Sequence, residues 1–190
     1  MNKTWQAMLF VVMSAAMLAV PASQMFRHER VLQQGKAFRF RTQPVDPYDA
    51  FRGRYVQLRF ENMSAALPAG MDYSRDAEAY ARVGEGADGF ARLESLSEKP
   101  PEGTADYVKV ELGWYMDFPT NGYVSVSVPF DQFFMNEKLA PKAEQAYRNL
   151  NRRGGTNVWA VVRVLEGKGV IENLMFDGVP AAEYVRAQQE

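Results

Sequence analysis

The 190-residue chain contains no cysteine and a single histidine, His28. Without thiols there are no disulfides, no thiolate nucleophile and no cysteine-ligated zinc. An oxidising compartment stays open, because a domain of this size can be stable without covalent staples. One imidazole near the N-terminus argues against a multi-histidine metal site or a Ser-His-Asp triad in the body of the chain. The formal charge of −1 supplies no net basic field, so nucleic acid is not an expected partner. No phosphate loop is present: the glycines between Gly84 and Gly89 precede a strand pattern and lack a Gly-Lys-Ser/Thr ending. No repeat of 20–50 residues is visible, and no cofactor is called for.

What is present begins with an apolar run. Ala7 to Ala22 is nearly uncharged, interrupted by Ser14 and closed by Pro21. A spanning helix needs about 20 mostly apolar residues, and counting from Trp5 to Met25 reaches that. Two readings stand. Residues 1–25 are either an uncleaved membrane anchor, with Trp5 at the interface, or a signal peptide cleaved after Ala22 of Val20-Pro21-Ala22. A buried soluble helix is a poor fit, since no face is polar. Lys3 and the amino terminus favour an N-terminus inside, while Arg27 and Arg30 follow the run, offset in part by Glu29. Residues 26–35 read as a polar connector and 36–190 as the folded body.

With 47% hydrophobic and 13% aromatic residues, that body can bury a sizeable core. Period-two alternation predicts strands over Lys36–Thr42, with Phe38 and Phe40 to one side, and over Tyr55–Glu61, with Val56, Leu58 and Phe60 to one side. Asn62 to Asp76 reads as a loop. Ala79–Val83 and Phe90–Leu96 flank an Asp88-Gly89 turn, a hairpin pattern; a helix over Asp76–Arg82 competes with the first of them. Tyr107–Trp114, Tyr123–Phe130, Val158–Leu165 and Val170–Phe176 complete eight strands. One helix is expected after Pro141, where Leu139, Ala143, Ala146, Tyr147 and Leu150 recur at helical spacing. A polar tail follows Asp177-Gly178. The fold class is therefore mainly β (α+β): an antiparallel barrel- or sandwich-like domain of about eight strands with one helix, preceded by an N-terminal transmembrane helix.

Two stretches could carry function. The first runs from Pro44 to Phe60, PVDPYDAFRGRYVQLRF. Its prolines and aspartates build turns, and Gly53 permits the last bend before the strand. Asp46, Asp49, Arg52, Arg54 and Tyr55 form a dense ionic cluster that could bind an anion or a partner's acid through charge-assisted pairs. The plainer reading is that Asp46 caps a turn and Arg52 fixes the strand's entry. The second stretch is Asp131-Gln132-Phe133-Phe134-Met135-Asn136-Glu137. Its aromatic pair between acids could line a pocket, or Phe133 and Phe134 could fill the core or face the bilayer while Glu137 supports the helix start.

Both stretches carry a resemblance. Pro44, Val45, Asp46, Pro47, Asp49, Arg52, Gly53, Tyr55, Val56 and Leu58 match the pattern of the GDYXXLXY family of bacterial membrane-anchored proteins. Tyr48, Arg54 and Phe60 depart from it, and Arg54 reverses the charge of the family's aspartate. Asp131, Phe133, Phe134 and Glu137 resemble the family's second segment, with Asn136 and Lys138 as departures. The resemblance implies an uncleaved anchor in the inner (cytoplasmic) membrane, single-pass with the N-terminus inside and the body in the periplasm. It also implies a multispanning membrane protein as partner, reached from an anchor at residues 5–25. The expected role is a binding or accessory module, leaning away from catalysis. The alternatives are an envelope-acting enzyme using Asp46, Asp131 or Glu137, and a cleaved soluble periplasmic binder. A Ser-Lys pair built on Ser64 and Lys109 is a remote option, since neither sits in a recognisable box.

Overall fold

The computed structural model describes residues 3–43, 55–61, 63–68, 70–71, 77–112, 123–152 and 157–188. Among these residues there are twelve strands and three helices. The first helix, α1, spans Lys3–Gln34. It passes through Pro21 and continues over the stretch that reads as a connector. The reason is local. Residues 26–34 hold no proline or glycine, and their side chains bridge successive turns: Gln33 Nε2 donates to Glu29 Oε1 at 2.7 Å and Arg30 Nε to Gln34 Oε1 at 3.2 Å. Gly35 ends the helix, its N–H donating to the Val31 carbonyl at 2.9 Å. Among the described residues one helix is thus long and apolar enough to cross a membrane, and none of its apolar window is covered by the body.

Among the described residues the body has three sheets. Strand β1 (Lys36–Gln43) leaves Gly35 directly and pairs antiparallel with β10 (Val158–Leu165), which pairs with β11 (Lys168–Phe176). Two-residue strands, β3 (Arg59–Phe60) and β12 (Val179–Pro180), complete the order β12-β11-β10-β1-β3. A closed barrel follows the order β4-β6-β5-β7-β8. Its members are β4 (Ser64–Ala66), β5 (Glu78–Glu85), β6 (Ala91–Ser97), β7 (Tyr107–Leu112) and β8 (Tyr123–Ser127). The barrel closes through a parallel bridge between Ala66 and Ser95. The third sheet is a ribbon of β2 (Tyr55–Gln57) and β9 (Gln132–Phe134). Helix α2 spans Ala140–Arg152, and α3 spans Ala181–Ala187.

The mainly β expectation is met: seven of the eight predicted strands are present, and the eighth, Tyr55–Glu61, is split in two. Glu78–Glu85 is a strand, not the competing helix: Ala79, Ala81 and Val83 are buried on one side, which is period two. Differences lie in short elements. Residues 55–60 do not form one strand. Leu58 is the break, its N–H donating to the Asp131 carbonyl at 2.7 Å, so that β2 pairs with β9 while β3 pairs with β1. The chain switches sheets within six residues, and Val56, Leu58 and Phe60 still point inward throughout. The tail is not simply polar: Ala181 and Val185, one turn apart, are buried, and the Tyr184 ring meets Phe176 at 5.4 Å.

The core is continuous between the sheets. Phe40, Phe60 and Phe130 form a triangle with ring centroids 5.5–5.7 Å apart. Each such tilted pair adds about 0.5–1.5 kcal/mol beyond area burial. Gly169 lies under Phe130, where a Cβ would collide with the ring.

Candidate functional site

The ribbon of β2 and β9 joins the two stretches singled out in the sequence. Register sets Tyr55 opposite Phe134, Val56 opposite Phe133 and Gln57 opposite Gln132. Val56 is fully buried and Phe133 packs partly buried on the core. Of the readings the sequence left open for Phe133 and Phe134, core filling fits Phe133 and not Phe134. The latter is 67% exposed, because consecutive strand residues face opposite ways, and its ring lies 5.5 Å from that of Tyr55. The structure therefore presents a tilted Tyr-Phe pair on the outer side of the ribbon.

Asp131 ties the two strands of this ribbon together at its end. Its carbonyl accepts from Leu58 N–H, and its carboxylate accepts from Gln57 Nε2 at 2.6 Å. Gln57 Oε1 is buried and has no hydrogen-bond partner among the described residues. Glu137 is exposed in the turn that starts α2. Asn136 opens that turn: its side-chain oxygen accepts from Lys138 N–H and its carbonyl from Leu139 N–H, both at 2.9 Å. Asp46, Asp49, Arg52 and Arg54 lie outside the described residues. The stretch that carries them is tethered at both ends. Tyr55 enters the ribbon. At Gln43 the carbonyl accepts from the buried Tyr147 hydroxyl of α2 at 2.8 Å, while Gln43 Nε2 donates to the Phe60 carbonyl at 2.8 Å.

Beside the ribbon lies an open groove of about 260 Å³, lined by Glu78, Lys109, Glu111, Ser127, Pro129 and Asp131 among others. Lys109 Nζ and Glu78 Oε2 are 2.6 Å apart, and this hydrogen bond raises the lysine's pKa above its ordinary value. The ion pair favours the charged ammonium, the opposite of what the neutral base of a Ser-Lys pair with Ser64 needs. Among the described residues no three histidine or acidic side chains are grouped to hold a metal ion.

The sequence model described as GDYXXLXY protein matches residues 17–174. The chain belongs to the GDYXXLXY family. No curated protein and no solved structure matches it. The family match begins at Met17, inside α1, and runs through β10 into β11. In this GDYXXLXY chain the motif's Tyr55, Val56 and Leu58 have distinct tasks. Val56 and Leu58 are core residues on either side of the sheet switch, and Tyr55 carries the outer ring of the ribbon. Sequence reasoning named both motif segments but missed their pairing, the three-residue strand β9, and the Gln57 bridge. Gln57 was legible only as an outward strand residue.

Proposed function

We propose that this GDYXXLXY protein is a membrane-anchored, extracytoplasmic binding or accessory module whose partner is a multispanning membrane protein. In this reading α1 is single-pass in the inner membrane, with the N-terminus inside and the body in the periplasm of a bacterial cell. The observation that carries it is the continuity of α1 into the body: the helix runs unbroken to Gln34, and Val31 on its last turns is buried against the β10–β11 sheet face. A body seated on its own anchor is held beside the bilayer, where a membrane partner would meet it. The family match supports an uncleaved anchor, because a cut after Ala22 would fall within the matched segment.

The Tyr55-Phe134 pair, with Phe134 exposed and Tyr55 half-buried, offers aromatic contact area of the kind interfaces favour. The enzyme reading has less behind it. Asp131 is engaged with Gln57 at an open edge rather than held in an enclosed cleft. Crosslinking in native membranes, followed by identification of what is bound, tests the proposal. A multispanning membrane protein lost on Phe134→Ala is the expected result; recovery of this chain alone counts against an accessory role. Because the chain has no cysteine, a single Glu98→Cys at an exposed site can be probed with an impermeant maleimide in intact spheroplasts. Labelling is expected, and protection until lysis would reverse the orientation.

A further inference from the structure

The apolar part of α1 ends at Phe26, and the next turn carries Arg27 and His28. Against this turn the body sets the start of β11 and the segment after β8. Together they enclose an open groove of about 360 Å³ whose walls include Arg27, His28, Lys109, Lys168, Pro129 and Val170. The groove has an apolar wall and a cationic rim, and no acid lines it among the described residues. Neighbouring acids are already engaged from outside: Glu78 holds Lys109, and Glu166 pairs with Arg30 at 3.4 Å. The remaining two cations are uncompensated. The Arg27 guanidinium donates only to Ser23, to its carbonyl and its hydroxyl at 3.1 Å, and the Lys168 ammonium has no hydrogen-bond or ion-pair partner among the described residues.

Depth decides what such a groove would meet. A helix rises about 1.5 Å per residue, so Trp5 to Met25 covers roughly 30 Å, the thickness of a bilayer's hydrocarbon core. Arg27 and His28 then stand in the headgroup layer, with the groove opening beside the helix at that level. We propose that this groove binds the phosphate of an anionic phospholipid, of the phosphatidylglycerol type, from the leaflet on the body's side. Arg27 and Lys168 pair with the headgroup phosphate, and the Pro129–Val170 wall covers the first part of the acyl chains. A zwitterionic lipid is disfavoured because the lining offers no carboxylate for its ammonium group. The inference rests on α1 spanning the bilayer.

The test uses the full chain reconstituted in phosphatidylcholine vesicles containing trace spin-labelled phosphatidylglycerol or spin-labelled phosphatidylcholine. The motionally restricted fraction reads relative association. A preference of about five- to thirty-fold for the anionic lipid is expected, from two basic side chains at the surface. In an Arg27→Gln, Lys168→Gln double variant it should fall to near one. Both side chains are exposed, and an unchanged thermal midpoint confirms that the variant is folded. Equal association of the two lipids with the wild-type chain overturns the proposal, as does a preference that survives in the folded variant. Loss of the preference in excess inorganic phosphate would mark a small-anion site and also overturn it. Release of the protein by alkaline carbonate overturns the spanning helix and the lipid site together; retention with equal association overturns the lipid site alone.

Discussion

Gly35 occupies a position that no other residue fits. A Cβ there would stand 2.5 Å from the Val31 carbonyl oxygen and 3.0 Å from that of Val164. The helix end and the β10 backbone close on it from two sides, and its own carbonyl accepts from Arg163 Nη1 at 3.2 Å. Gly35→Ala is expected to destabilise the body by about 1–3 kcal/mol, the usual cost of overpacking, read as a lower urea midpoint for the full chain in detergent. Asp88 is a second residue with a measurable signature. Its carboxyl pKa is lowered, first by the Phe90 N–H and further by Arg92 and Arg41. A carboxylate whose folded pKa is depressed adds stability at pH above its unfolded value, near 3.8, and that stability is lost as pH falls through the folded value. Asp88→Asn should therefore flatten the acid limb of the stability profile below about pH 4 and leave its slope at neutral pH unchanged, as followed by thermal midpoint against pH.

At the level of elements, what the sequence makes legible is what a strand declares locally. Phe38 and Phe40, Val108 and Val110, and Val162 and Val164 are each two apart and buried. Alternation needs no knowledge of partners, so every long strand could be placed. The sheet switch at Leu58 could not, because Val56, Leu58 and Phe60 alternate whether one strand or two are formed. Only the remote Asp131 carbonyl decides it. The same limit hid β9, whose three residues include an outward phenylalanine, and α3, whose buried positions number two. The candidate site was legible as residues and not as an arrangement: Tyr55 and Phe134 were both named, but their facing register is set by pairing between strands remote in the sequence. α1 also allows an element-level prediction. Val31 is its buried contact with the body, so Val31→Ser should loosen the helix's last turns. Tryptic cleavage after Arg27 and Arg30 in detergent is expected to accelerate several-fold, with little change in the thermal midpoint of the body.

For the whole molecule, the central expectation concerns what remains joined. A chain that keeps its first 22 residues should show the full-length mass when isolated from membranes and should resist alkaline extraction; a mass short by residues 1–22 would convert it to a soluble protein. The body couples to α1 through a short list of contacts: Val31 in the interface, Gly35 at the joint, the Arg30–Glu166 pair, and the Arg163–Glu172 pair bracing the Gly35 carbonyl from β10 and β11. The barrel is tied to the same sheet through the Val108–Gly167 bridge and through Arg41, which sits over the Phe90 ring at 4.0 Å and pairs with Asp88.

A helix that enters a folded body without a hinge also turns that body into a pointer. Bilayers of different thickness change the lean of a spanning segment, since excess apolar length is accommodated by inclination. Where the continuous helix from Lys3 to Gln34 spans the bilayer, a change of its lean would carry the Tyr55-Phe134 pair along with the body. Which neighbour it can reach would then depend on the lipid composition around it.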